Sequence, residues 1–81
     1  MRHARVETLV ELGDLLAAIR KTPGVIERKS GVFYRRGQAF LHFHEDPAGL
    51  FADLRIAGDW QRFPVNSDVE RERLLGALRE A

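Results

Sequence analysis

Apolar and polar residues alternate on both sides of Asp46-Pro47-Ala48-Gly49, in QAFLHFHE before it and LFADLRI after it. Side chains two apart on a strand share a face, so each run reads as a half-buried strand. Pro presets one turn dihedral and Gly accepts a left-handed one, which predicts a hairpin. With these four residues as the loop, Glu45 lies opposite Leu50, His44 opposite Phe51, Phe43 opposite Ala52, His42 opposite Asp53 and Leu41 opposite Leu54. One face then holds Leu41, Phe43, Leu50, Ala52, Leu54 and Ile56, and the other Phe40, His42, His44, Phe51, Asp53 and Arg55. A bulge at Gly49 would shift each pair by one and set Asp53 against Phe43, so the register that keeps the faces consistent is preferred.

Upstream, Leu9, Leu12, Leu16 and Ile19 recur at three- and four-residue steps, the stripe of a helix from Thr8 to Arg20. Thr8 and Glu11 have capping-box spacing, while Gly13 weakens the helix interior and Asp14 offers a later cap for a shorter helix. One helix is preferred, stopped by Thr22-Pro23-Gly24. Val25–Lys29 and Val32–Arg35 flank Ser30-Gly31 and read either as one bent strand or as two short ones, with one interrupted strand favoured. An Arg36-Gly37 turn pairs Tyr34 with Ala39 and Val32 with Leu41, which sends Phe33 and Arg35 to the face of His42. A Gly58-Asp59 turn sets Leu54 opposite Phe63 and Ala52 opposite Val65 on a last strand, Trp60 to Val65, where Pro64 fits a sheet edge. Ser67 and Glu70 begin a terminal amphipathic helix carrying Val69, Leu74, Leu75 and Leu78.

The expected architecture is α+β: a single domain over residues 1–81, a four-stranded antiparallel meander with N- and C-terminal helices packed on one face. A chain of 81 residues has a thin core, so a partner subunit would help it. The absence of cysteine excludes disulfides, thiolate zinc sites and cysteine nucleophiles, and agrees with a cytoplasmic protein. No stretch reads as a signal peptide or a membrane span. Thirteen Lys and Arg against twelve Asp and Glu leave a net charge of +1, so any anion binding must come from a local patch.

The face turned away from the helices carries the candidate chemistry. It is expected to gather Phe33, Arg35, Phe40, His42, His44, Phe51, Asp53, Arg55, Trp60 and Arg62. Three Phe and a Trp are costly to leave in water, which points first to a homodimer packed sheet to sheet. A nucleic-acid or nucleotide surface is the second reading, with Arg35, Arg55 and Arg62 for phosphates and Phe33, Phe40 and Trp60 for bases. The third is a divalent metal site, since His42 and His44 point the same way and Asp53 lies opposite. An oriented His42-Asp53 base is conceivable chemistry, yet neither Ser30 nor Ser67 has the context of a nucleophile, and no catalytic motif is present. A binding or interaction protein is favoured over an enzyme.

TPGVIERKSGVFYRRGQ followed by FLHFHEDPAGLFADLR resembles a segment of small uncharacterised bacterial α+β proteins, and is similar to the MmcQ/YjbR-like and "luciferase-domain" groups. The resemblance spans about Leu15 to Arg55 and implies a helix-backed antiparallel sheet, with no activity and no site residue attached.

Overall fold

A computed structural model describes residues 2–81. In chain order the elements are β1 (Arg2–His3), α1 (Val6–Glu11), α2 (Gly13–Arg20), β2 (Val25–Lys29), β3 (Val32–Arg35), β4 (Gln38–Asp46), β5 (Gly49–Ile56), β6 (Asp59–Pro64) and α3 (Asp68–Glu80). The α+β class and the antiparallel meander stand, but the sheet has six strands, ordered β2-β3-β4-β5-β6 with β1 added to β4. Val25–Lys29 and Val32–Arg35 form a hairpin of their own, not one interrupted strand. Its turn is tight: Gly31 sits at φ +74°, and a Cβ there would come within 2.7 Å of Leu9. Only glycine tolerates both the left-handed backbone and that approach.

The expected pairing of β4 with β5 is present in full, from Leu41 opposite Leu54 to Glu45 opposite Leu50, and it extends to Asp46 opposite Gly49. The β5–β6 register differs by two residues. Ala57 and Gly58, both at positive φ, make the turn, so Ala52 lies opposite Phe63 and Leu54 opposite Gln61. Two consecutive left-handed residues match the right-handed twist of the strands they join, which favours this turn over Gly58-Asp59. Because the slip is by two, no side chain changes face.

The β3–β4 pairing differs by one, and there the faces do change. Tyr34 pairs with Ala39 as expected, but β4 then carries an extra residue, and Phe33, not Val32, lies opposite Leu41. The bulge turns Phe33 inward, where it is fully buried, and Phe40 joins the same core at 6% exposure. Arg35, two residues from Phe33, donates from Nη1 to the Ala81 carbonyl at 2.6 Å, at the C-terminal end of α3. Three of the ten side chains expected on the open face are therefore used elsewhere: two fill the core and one ties the last helix to the sheet.

Helices α1, α2 and α3 supply Leu9, Leu16, Ile19, Leu74 and Leu78, with Leu12 between α1 and α2, to one core with Phe33, Leu41, Phe43, Ala52 and Leu54 of the sheet. The single N-terminal helix is broken at Leu12, φ −90° and ψ 14°, immediately before Gly13. Glycine has the largest backbone entropy to lose, so the kink falls there at least cost, while the Leu9-Leu12-Leu16-Ile19 stripe stays buried. The expected Thr8-Glu11 box is absent because α1 starts earlier; the Ser67-Glu70 box is present, with Ser67 Oγ accepting from the Glu70 N–H at 3.2 Å. Among the described residues no helix is long and apolar enough to cross a membrane.

Glu45 anchors the N-terminal segment. Its carboxylate accepts from the Arg5 N–H at 2.7 Å, from Arg5 Nε and Nη2 at 3.2 and 3.1 Å, and from the Thr8 hydroxyl at 3.0 Å. The Arg5 main-chain donor, then the Arg5 side chain and Thr8, hold this carboxyl at about 2, against the desolvation that pushes the other way. A carboxyl depressed in the fold contributes stability above its unfolded value, near 4.5, and that stability is lost as the pH falls toward 2. We expect the midpoint of thermal unfolding to drop through this window and Glu45→Gln to flatten the drop while lowering stability at neutral pH. Parallel pH profiles for the two proteins would remove Glu45 from this role.

Candidate metal centre

Strand β4 is nine residues long and β3 only four, so β3 covers β4 no further than His42. The remaining edge carries main-chain donors and acceptors that need partners. Strand β1 supplies them: Arg2 lies opposite Glu45, His3 opposite His44, and the Ala4 N–H donates to the Phe43 carbonyl at 3.0 Å. His42 and His44, two apart on β4, already share a face. Pairing of β1 therefore brings all three histidines of the chain together, with one ring nitrogen from each within 4.8 Å of the others.

The ring centroids of His42 and His44 are 4.6 Å apart, those of His3 and His44 5.0 Å, and those of His3 and His42 5.8 Å. His42 Nδ1 stands 2.7 Å from His44 Nε2, and that same Nε2 is 3.1 Å from Asp53 Oδ2. A ring nitrogen carries at most one hydrogen, so His44 Nε2 cannot give a full hydrogen bond to both neighbours. One of the two contacts at this nitrogen therefore lacks a full hydrogen bond. Zn–N bonds of about 2.0–2.1 Å in a tetrahedron put ligand nitrogens about 3.3 Å apart. That lies between the 2.7 Å contact and the 4.8 Å outer span.

Burial, and then the adjacent His44, hold the His42 imidazole below its ordinary range, in the neutral form that a metal needs. Asp53, expected as the third ligand, is placed beside His44 but is held by Arg62, whose Nε and Nη2 donate to Oδ1 and Oδ2 at 2.8 and 2.9 Å. This pairing, outweighing desolvation, keeps the Asp53 carboxyl below the usual carboxylate range. Asp53 Oδ2 meets His44 at Nε2, the same nitrogen that faces His42, and not at the second ring nitrogen through which outer carboxylates commonly steady metal-bound imidazoles. The third imidazole is that of His3, which the sequence pattern does not single out because two residues are too few to show alternation. The signal for it is the length mismatch between β3 and β4.

Of the other expected residues, Phe51 pairs with His44 and is half-buried, and Trp60 packs its ring 4.7 Å from His42. Arg55 lies across from Trp60 with its guanidinium 4.6 Å from the ring centre. Phe33, Phe40 and Arg35 belong to the core and to the α3 contact described above. What the face offers is imidazole, indole and guanidinium, with a carboxylate already paired. Compared with protein-family models, curated proteins and solved structures, the chain matches none.

Proposed function

We propose that this chain is a small metal-binding protein that holds a first-row transition ion, zinc foremost, through His3, His42 and His44. The observation that supports this reading most is the convergence of every histidine in the chain, from two strands, on one patch of sheet. Neutral imidazoles suit zinc, copper, nickel and iron, and not calcium or magnesium. Three imidazoles leave a coordination position open on the solvent side, since His3 is exposed. At such a position zinc holds a water and brings its pKa to about 7. No nucleophile or general acid is assigned, and the reading is one of binding.

The test uses chelator-treated protein titrated with Zn²⁺ and with Co²⁺ and followed by native mass spectrometry and Co²⁺ absorption. We expect one ion per chain and the visible bands of a tetrahedral site. Cu²⁺ should quench the single tryptophan, Trp60, whose ring abuts His42. Protein that stays metal-free in both titrations would overturn the proposal. A second reading is a homodimer across the same face, supported by Trp60 at 41% exposure and the half-buried Phe51. It is weakened by the burial of Phe33 and Phe40 within the monomer, and the same mass spectra read subunit number.

A further inference from the structure

At the end of the sheet where the β3–β4 and β5–β6 turns lie side by side, Arg35, Arg36, Phe40, Arg55, Gly58 and Ala81 border a cavity of about 410 Å³. It is lined by three arginines and no carboxylate side chain. The chain's net charge is only +1; Arg2 and Arg5 pair with Glu45, Arg20 with Glu27 and Arg62 with Asp53, while Arg28, Arg71, Arg73 and Arg79, which do not line this cavity, are among the described residues in no ion pair either. Among the described residues no ion pair involves Arg35, Arg36 or Arg55. This is the local patch that near-neutral composition leaves room for.

Two of the three guanidiniums are already oriented. Arg35 lies 5.2 Å from the Phe40 ring centre and gives one N–H to the Ala81 carbonyl; Arg55 lies 4.6 Å from the Trp60 ring centre. A guanidinium held over an aromatic ring is restrained before a ligand arrives, so less freedom is lost on binding. Arg55 Nε is also buried, and among the described residues it has no hydrogen-bond partner. A buried charged donor left unpaired is costly, and native structures rarely keep one without a partner supplied by solvent or ligand.

We infer that this cavity is a binding site for a phosphate group, separate from the histidine cluster, with Arg55, Arg36 and Arg35 as its donors. Three positive charges match a phosphate dianion better than a single carboxylate, and the guanidinium fork fits its oxygens two at a time. The shared chemistry is the phosphate; free phosphate and a phosphomonoester are its two sources. No histidine borders the cavity, so this site does not depend on the metal reading.

The full chain, kept in chelator so that no metal contributes, is titrated with inorganic phosphate, adenosine monophosphate and acetate. Trp60 fluorescence and the Arg55 Nε–H resonance report occupancy. We expect saturable changes with both phosphates and none with acetate at equal ionic strength. Equal affinities would identify free phosphate as sufficient, and tighter adenosine monophosphate a phosphomonoester. Arg55→Gln should weaken binding at least tenfold, as loss of a charge-assisted hydrogen bond does. Arg36→Gly, at an exposed position with φ 53° that glycine accepts readily, should weaken it severalfold without disturbing the fold. Binding that is absent, equal for acetate, or unchanged in Arg36→Gly and in a folded Arg55→Gln would overturn the assignment.

Discussion

Phe33→Ala is expected to destabilise the protein by about 3–5 kcal/mol, the range for emptying a buried phenylalanine site. Phe33 is wholly removed from solvent and faces Leu41 across the β3–β4 pairing. A domain of 81 residues has about 4–12 kcal/mol in total at the usual 0.05–0.15 kcal/mol per residue. The substitution therefore takes a large share of the stability, and the variant should populate unfolded chains at physiological temperature. The prediction separates two placements of one side chain. On the open face, where strict alternation puts it, Phe33 would be a surface residue whose loss costs about 0.5 kcal/mol or less and shows mainly in self-association. Urea denaturation of the two proteins, with the slope checked for constancy, decides between them; a loss below 1 kcal/mol would return Phe33 to the surface and remove the bulge that buries it.

Removing one imidazole from the cluster is the second large effect. His3→Ala should abolish stoichiometric zinc binding while leaving the fold intact, because His3 is exposed and outside the core. The loss should exceed the 10–100-fold that follows removal of an outer-shell partner. Asp53→Asn should cost less than loss of an imidazole, since both Asp53 oxygens are already held by Arg62. His42→Ala should remove both the metal and the quenching of Trp60 by Cu²⁺. Competition with a chromophoric chelator gives the three affinities. If His3→Ala binds zinc as the parent does, β1 contributes no ligand and the site reduces to His42, His44 and a carboxylate. Acidification should release the ion in every variant that still binds it, because only neutral imidazole ligates.

The pattern of the chain carries the β4–β5 hairpin completely, since two strongly alternating runs around a Pro-Ala-Gly turn admit only one register that keeps both faces uniform. It carries the terminal helix and its cap, which depend on residues three apart and need no distant partner. The leucine stripe of the first helical segment is also legible, although its break at Leu12 is not. In each case the determining interactions are local or lie within one turn.

Three features had to wait for the tertiary structure. The β3–β4 bulge turns Phe33 inward, where it joins Phe40 and Phe43 in the core, and no rule of alternation states how much space the facing helices leave. The Ala57-Gly58 turn sets Arg62 opposite Asp53, creating the pair that fixes the carboxylate beside His44. Strand β1 forms only because β3 is too short to cover β4, and its two residues bring His3 to the other histidines. By itself the sequence determined the α+β class, the central register and the facing of His42 and His44, which rest on periodicity. Which side chains complete the histidine cluster, and which arginines remain unpaired, was decided by strand length and turn position, quantities set by how the whole sheet satisfies its edges.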